Sequence, residues 1–214
     1  HLDWLYLPPE HELRQTVVVS NPLSEEQGIM RTTILPGLLE TIKRNINKRN
    51  KNLKLFELGK VYLPAGFPRE RKLPQEKWVL GAISTGKKEK TWAYGEEIYD
   101  FFFLKGVAEN IFSSLGIGDV SFAKNDNNPS LHPGRCASIF IGGKEVGFIG
   151  EVHPLVLEKY EIEQRAAVFS LNMDDLIGIA SEEVHYRPVP KFPAVSRDLA
   201  IVVPEDVEAG QVLA

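Results

Sequence analysis

Cysteine is almost missing: Cys136 is the only one in 214 residues. That excludes an intrachain disulfide and a thiolate metal cluster. It suits a reducing compartment, and a cytoplasmic location is the expectation. No apolar run approaches the ~18 residues that a membrane-spanning helix needs. Positive charge is not in excess either. Twenty-five Lys and Arg stand against 29 Asp and Glu, a net of −4 at pH 7. Contact with nucleic acid therefore has to come from a local patch. A GxxxxGK[ST] phosphate loop and a GxSxG nucleophile elbow are both missing, as are internal repeats and low-complexity tracts. What is present is an ordinary globular composition, 43% hydrophobic and 25% charged. The chain opens at His1 without methionine and closes on Val212-Leu213-Ala214 in mid-pattern. This points to a piece of a longer polypeptide.

Periodicity and turn residues divide the chain. Residues 4–14 carry Pro8-Pro9 and read as a connector. Thr16-Val17-Val18-Val19 is a β-branched run that predicts a short buried strand. Leu35, Leu38, Leu39, Ile42 and Ile46 recur at helical spacing. They predict a helix capped by Thr33, carrying Pro36 in its first turn and ending near Asn50. A second helix is predicted over 99–115, stopped by Gly116, with short ones over 154–160 and from Asp174. Strands are predicted over 53–63, 78–83, 120–122, 137–141, 145–150 and 167–171, with Gly142-Gly143 as a tight hairpin. The segments 64–74 and 86–95 read as exposed loops. Tyr186 to Pro193 holds three prolines in eight residues and reads as a linker, followed by a strand of a further unit over 198–203. Hairpins with helices in separate blocks imply an α+β fold, an antiparallel sheet with flanking helices.

Few constellations suggest chemistry. Gly142-Gly143-Lys144 lies between two strands, so it reads as a hairpin rather than a phosphate cradle. His132 and His153 each precede a proline, which fits turn or cap roles better than metal ligation. Asp174-Asp175 fits a helix start. Cys136 leads into an apolar strand as a small core residue. From Lys43 to Asn52 the chain has five basic residues, Lys43, Arg44, Lys48, Arg49 and Lys51, and no acid. Such a patch can bind phosphates, or can simply be a solvated helix end that complements the helix dipole.

Several blocks carry a family resemblance. They are Asn21 to Glu26, Met30 to Leu39, Leu55 to Tyr62, Asp100 to Gly106, Leu131 to Arg135, Gly147 to Pro154 and Lys191 to Ala200. In this order they resemble the beta chain of bacterial phenylalanyl-tRNA synthetase. The resemblance implies that residues 1–188 form a core like the catalytic domain of class II aminoacyl-tRNA synthetases. It implies that 189–214 are a linker and the first strand of a truncated ferredoxin-like anticodon-binding domain.

The family's alpha chain is the catalytic one, and the same resemblance implies a silent core here. Where the alpha chain follows the segment similar to Gly59-Lys60-Val61-Tyr62 with an ATP-binding arginine, this chain has Leu63-Pro64-Ala65-Gly66. Where the alpha chain runs a glycine-rich strand into Glu-Arg, this chain has Val168 to Asp175 without glycine or arginine. Adenylate formation needs cations against the phosphates. The implied role is a non-catalytic module that packs on the alpha subunit of an alpha2-beta2 heterotetramer and supports tRNA. No catalytic residue, cofactor or metal is assigned to this chain; ATP and Mg2+ belong to the parent enzyme. The RNA-binding candidates are Lys43, Arg44, Lys48, Arg49 and Lys51. The structural or pocket candidates are Arg31, His132, Arg135, Glu151 and His153. The competing expectation is a small-molecule-binding enzyme domain with its own pocket around His132, Arg135, Glu151 and His153.

Overall fold

The computed structural model describes residues 2–24, 28–64, 73–93, 95–125, 127–181, 191–193, 195–204, 207 and 212. The chain divides into two units, His1–Glu183 and Val184–Ala214. The expected boundary at 188, and most of the proline-rich linker, lie outside the described residues.

The first unit is built on a six-stranded sheet in which every pairing is antiparallel. In chain order its elements are α1 (Leu35–Asn47), β1 (Leu53–Leu63), β2 (Gln75–Thr85), the two-residue strands β3 (Lys87–Lys88) and β4 (Glu97–Ile98), and α2 (Phe101–Ser114). Then follow β5 (Val120–Lys124), β6 (Leu131–Ile141), β7 (Lys144–Val152), α3 (Pro154–Lys159), β8 (Ala166–Asn172) and α4 (Met173–Ile179). The strands lie in the order β1-β2-β8-β7-β6-β5, and β3 pairs with β4 separately. The last strand in sequence is therefore inserted between β2 and β7.

Strand alternation gives the sheet two apolar faces. Ala166 and Val168 of β8 point to the first, where Leu35, Leu38, Leu39 and Ile42 of α1 pack with Leu5, Leu7 and the α3 residues Val156 and Leu157. Ala167, Phe169 and Leu171 point to the second, under Leu104, Ala108 and Phe112 of α2 and Leu176 of α4. Burial on both faces explains why β8 reads as a nearly continuous apolar run, interrupted at Ser170, instead of an alternating one. The α+β sheet with flanking helices is thus the architecture present.

Local chemistry sets the ends of these elements. The cap position of α1 is Ile34 rather than the expected Thr33, whose hydroxyl accepts the Leu35 N–H at 3.3 Å from one residue earlier. The helix closes at Asn47, three residues early. Arg49 adopts a positive φ of 68° and its N–H bonds back to the Ile46 carbonyl at 2.7 Å. Asp100 caps α2 through the Phe103 N–H at 3.0 Å. Gly142 and Gly143 both have positive φ, as a two-residue hairpin of this kind requires.

Other expectations also differ from the structure; β3 pairs with β4 from within the stretch 86–95 that reads as an exposed loop. Residues 16–19 form only a single bridge, Val18 to Ile29; the run finds no strand to ladder with. Residues 198–203 form no strand, for want of a pairing partner among the described residues. β6 starts at Leu131 rather than 137, because an irregularity between Leu131 and Cys136 absorbs Pro133 and Gly134.

Candidate functional site

The candidate residues fall in three places. The first is the start of α1, beside a cavity of about 630 Å³ bordered by Leu2, Met30, Arg31, Thr33, Pro36 and Glu40. Arg31 arrives on an extended segment that hydrogen-bonds β1, its carbonyl accepting the Tyr62 N–H at 2.9 Å. Its Nε donates to the Lys60 carbonyl at 2.8 Å, and its Nη1 donates to the Glu57 carboxylate. Gly59 makes room for this, since a Cβ there would run into Arg31 Nη2. The Glu57 carboxylate also lies over the Gly37 position in the first turn of α1, where negative charge is favoured. Arg31 and the helix start thus share one internal anion. Sequence reasoning missed Glu57. The signal was an acid at an inward position of the alternating run Leu53, Leu55, Glu57.

The second place is the irregular start of β6. Looping out Pro133 and Gly134 brings Arg135 toward β7, where its Nη1 donates to Glu151 at 2.9 Å. Its Nη2 lies 3.0 Å from His132 Nε2, and His132 Nδ1 lies 3.3 Å from the Gly134 N–H. Glu151 is only 9% exposed, so its ion pair with Arg135 offsets the cost of burying the charge. Glu151 borders a second cavity, of about 410 Å³, with Lys87, Glu96, Asp100, Gln164 and Arg165. Lys87 pairs with Glu96 there at 2.8 Å. The structure brings His132, Arg135 and Glu151 together but leaves His153 apart. His153 Nδ1 accepts the Leu155 N–H at 3.2 Å and caps α3, with its ring 6.1 Å from that of Tyr6. Among the described residues no three His, Cys, Asp or Glu side chains are placed to hold a metal.

The third place is the basic end of α1. Lys43 pairs with Glu161 at 2.8 Å, and Arg44 donates to the Thr41 hydroxyl at 3.0 Å. Lys48, Arg49 and Lys51 are exposed around the turn that closes the helix. The patch is therefore smaller than the sequence suggests, with Lys43 neutralised by an acid from another element.

Residues 1–173 match the family model described as phenylalanyl tRNA synthetase beta chain CLM domain. The chain belongs to this family. The phenylalanine–tRNA ligase beta subunit of Moorella thermoacetica is 43% identical over 211 residues, which are 99% of this chain and 26% of that one. The beta subunit of Carboxydothermus hydrogenoformans is 42% identical over 205 residues, 96% of this chain and 25% of its own. The chain thus spans about a quarter of the length of the curated relatives it matches. A solved pyrrolysyl-tRNA synthetase from Desulfitobacterium hafniense has the same fold. Its TM-score is 0.60 at 15% identity, over 83% of this chain and 58% of that one. The synthetase beta-chain family and the class II synthetase-like core expected from the motif blocks are both present. Among the described residues no helix is long and apolar enough to cross a membrane.

Proposed function

We propose that this chain is a non-catalytic core module of the phenylalanine–tRNA ligase beta subunit. In this reading it packs on the catalytic alpha subunit of a cytoplasmic alpha2-beta2 enzyme and helps to position tRNA, while the alpha subunit ligates phenylalanine with ATP and Mg2+. In the same reading residues 189–214 are the linker and the start of the anticodon-binding domain, whose first strand, over 198–203, forms once the rest of that domain is there to pair with it.

One observation carries the reading. Arg31, which lines the first cavity, and Lys87, which lines the second beside Arg165, are each held by a carboxylate of the same chain, Glu57 and Glu96, and Arg135 is likewise held by Glu151. A cation so engaged has little charge left to stabilise a transferring phosphoryl group. Leu63 and the Val168-to-Asp175 segment supply no replacement. The role in tRNA binding rests on Lys48, Arg49 and Lys51, exposed at the end of α1.

Phenylalanine-dependent ATP–pyrophosphate exchange tests the reading. The purified 214-residue chain is expected to show none, whereas alpha and beta subunits together are active. Exchange by the chain alone overturns the proposal and favours the pocket around His132, Arg135 and Glu151.

A further inference from the structure

Residues 4–14 read as a connector in the sequence, but in the fold the opening segment is a strap across the first face. Leu5 and Leu7 are 1% and 4% exposed and plug into the core beside α1 and α3. Between them the chain turns at Tyr6, whose φ is 57°. That left-handed conformation strains a bulky side chain, and the burial of a leucine on either side offsets it. Arg14 fastens the strap at both ends. Its Nη1 donates to the Asp3 carboxylate at 2.6 Å and its Nε to the Leu7 carbonyl at 2.9 Å.

The strap ties down two strand ends. The Leu5 carbonyl accepts the Ser130 hydroxyl at 2.8 Å, and both residues are buried. The Ser130 carbonyl in turn accepts the His153 N–H at 2.9 Å. The Tyr6 ring lies beside that of His153. Ser130 precedes β6 and His153 follows β7, the strands that carry Arg135 and Glu151. The sheet itself grips this corner weakly. Regular register is interrupted between the rung Leu131–Val152 and the rung Cys136–Gly150, so residues 132–135 depend on ties from outside the ladder. β8, by contrast, is paired along both of its edges.

We propose that residues 2–7 are a strained clasp that sets the local stability of this corner. When the clasp lets go, the start of β6, the end of β7 and the first turn of α3 open together as one unit, while β2 and β8 stay closed. The Arg135–Glu151 pair and the cavity that Glu151 borders open with it. The clasp is a property of the fold that goes beyond the module's proposed role.

Hydrogen exchange of the full-length beta chain, in complex with its alpha subunit, tests this. In the unaltered protein the hydrogen-bonded amides within 2–7, 128–136 and 151–157 should exchange as a group, about tenfold or more ahead of those within 79–85 and 166–172. Arg14→Ala unfastens the clasp without removing a core side chain. It should speed exchange of the group by roughly tenfold and leave 79–85 and 166–172 unchanged. Ser130→Ala cuts the tie to β6 and should speed 128–136 and 151–157 in the same way. Combined with Arg14→Ala it should add little, because both act through one element. No change in Arg14→Ala overturns the proposal. So does faster exchange spread evenly over the sheet, or effects of the two variants that simply add. Early segments that do not move as a group in the unaltered protein overturn it as well, and this last measurement decides even where a variant folds poorly.

Discussion

Tyr160 is fully buried, with its ring edge-on to Trp4 at 5.1 Å, and its hydroxyl finds no hydrogen-bond partner among the described residues. A buried unsatisfied hydroxyl costs about 1–3 kcal/mol. Burial, with a contribution from the Glu40 charge, also pushes the phenol's pKa upward. The fold therefore favours the neutral phenol, which ionises more readily in the unfolded chain, near pH 10. Stability from this term is complete below about pH 10 and is lost as pH rises above it. Tyr160→Phe keeps the ring and removes both penalties. Urea titrations should show it more stable than the parent by about 1 kcal/mol, with a gentler loss of stability in alkali. A less stable variant would mean that the hydroxyl is satisfied after all. At this scale the sequence was only partly legible. Arg31, His132, Arg135 and Glu151 could be named as candidates from their motif blocks. The partner of Arg31 could not, because it meets Glu57 across 26 positions. A much longer separation in sequence hid Glu161 from Lys43.

Among the elements, helices and hairpins were the readable part, since each carries its period and caps within a dozen residues. The helix from Leu35, the hairpin at Gly142-Gly143 and the short helix after His153 all follow local rules. Strand limits were harder wherever an irregularity intervened, as at Pro133. The close approach of β7 to β8 was hidden altogether. At Gly147 a Cβ would collide with the Ser170 carbonyl and lie 3.0 Å from the Leu171 Cα. Backbone cannot swing aside as a side chain can. Gly147→Ala should therefore cost about 1–3 kcal/mol or more by forcing the strands apart. In circular dichroism melts the midpoint should fall by ~2–4 °C per kcal/mol. An unchanged melting temperature would show that the two strands have slack.

For the whole molecule, the α+β class was legible from composition and the grouping of elements, and the family from blocks in register. The strand order was not, because pairings such as Val79 with Asn172 depend on collapse rather than on neighbours in sequence. The chain is net negative, so any RNA contact made by this module itself is expected at the basic end of α1. Lys48→Glu with Arg49→Glu should weaken tRNA binding and lower the slope of log affinity against log salt by about 2. Equal affinity for both proteins at low salt would leave those residues as a solvated helix end. The central position of β8 has a consequence for how the chain is made. On the ribosome, β1–β2 and β5–β6–β7 emerge as two incomplete ribbons, each with an unsatisfied inner edge. Neither edge can close until residues 166–172 have left the exit tunnel. While the stretch from β2 to β8 is being made, the nascent chain carries two open strand edges. Its commitment to the native sheet comes late and in one step, when a single seven-residue segment slides between them.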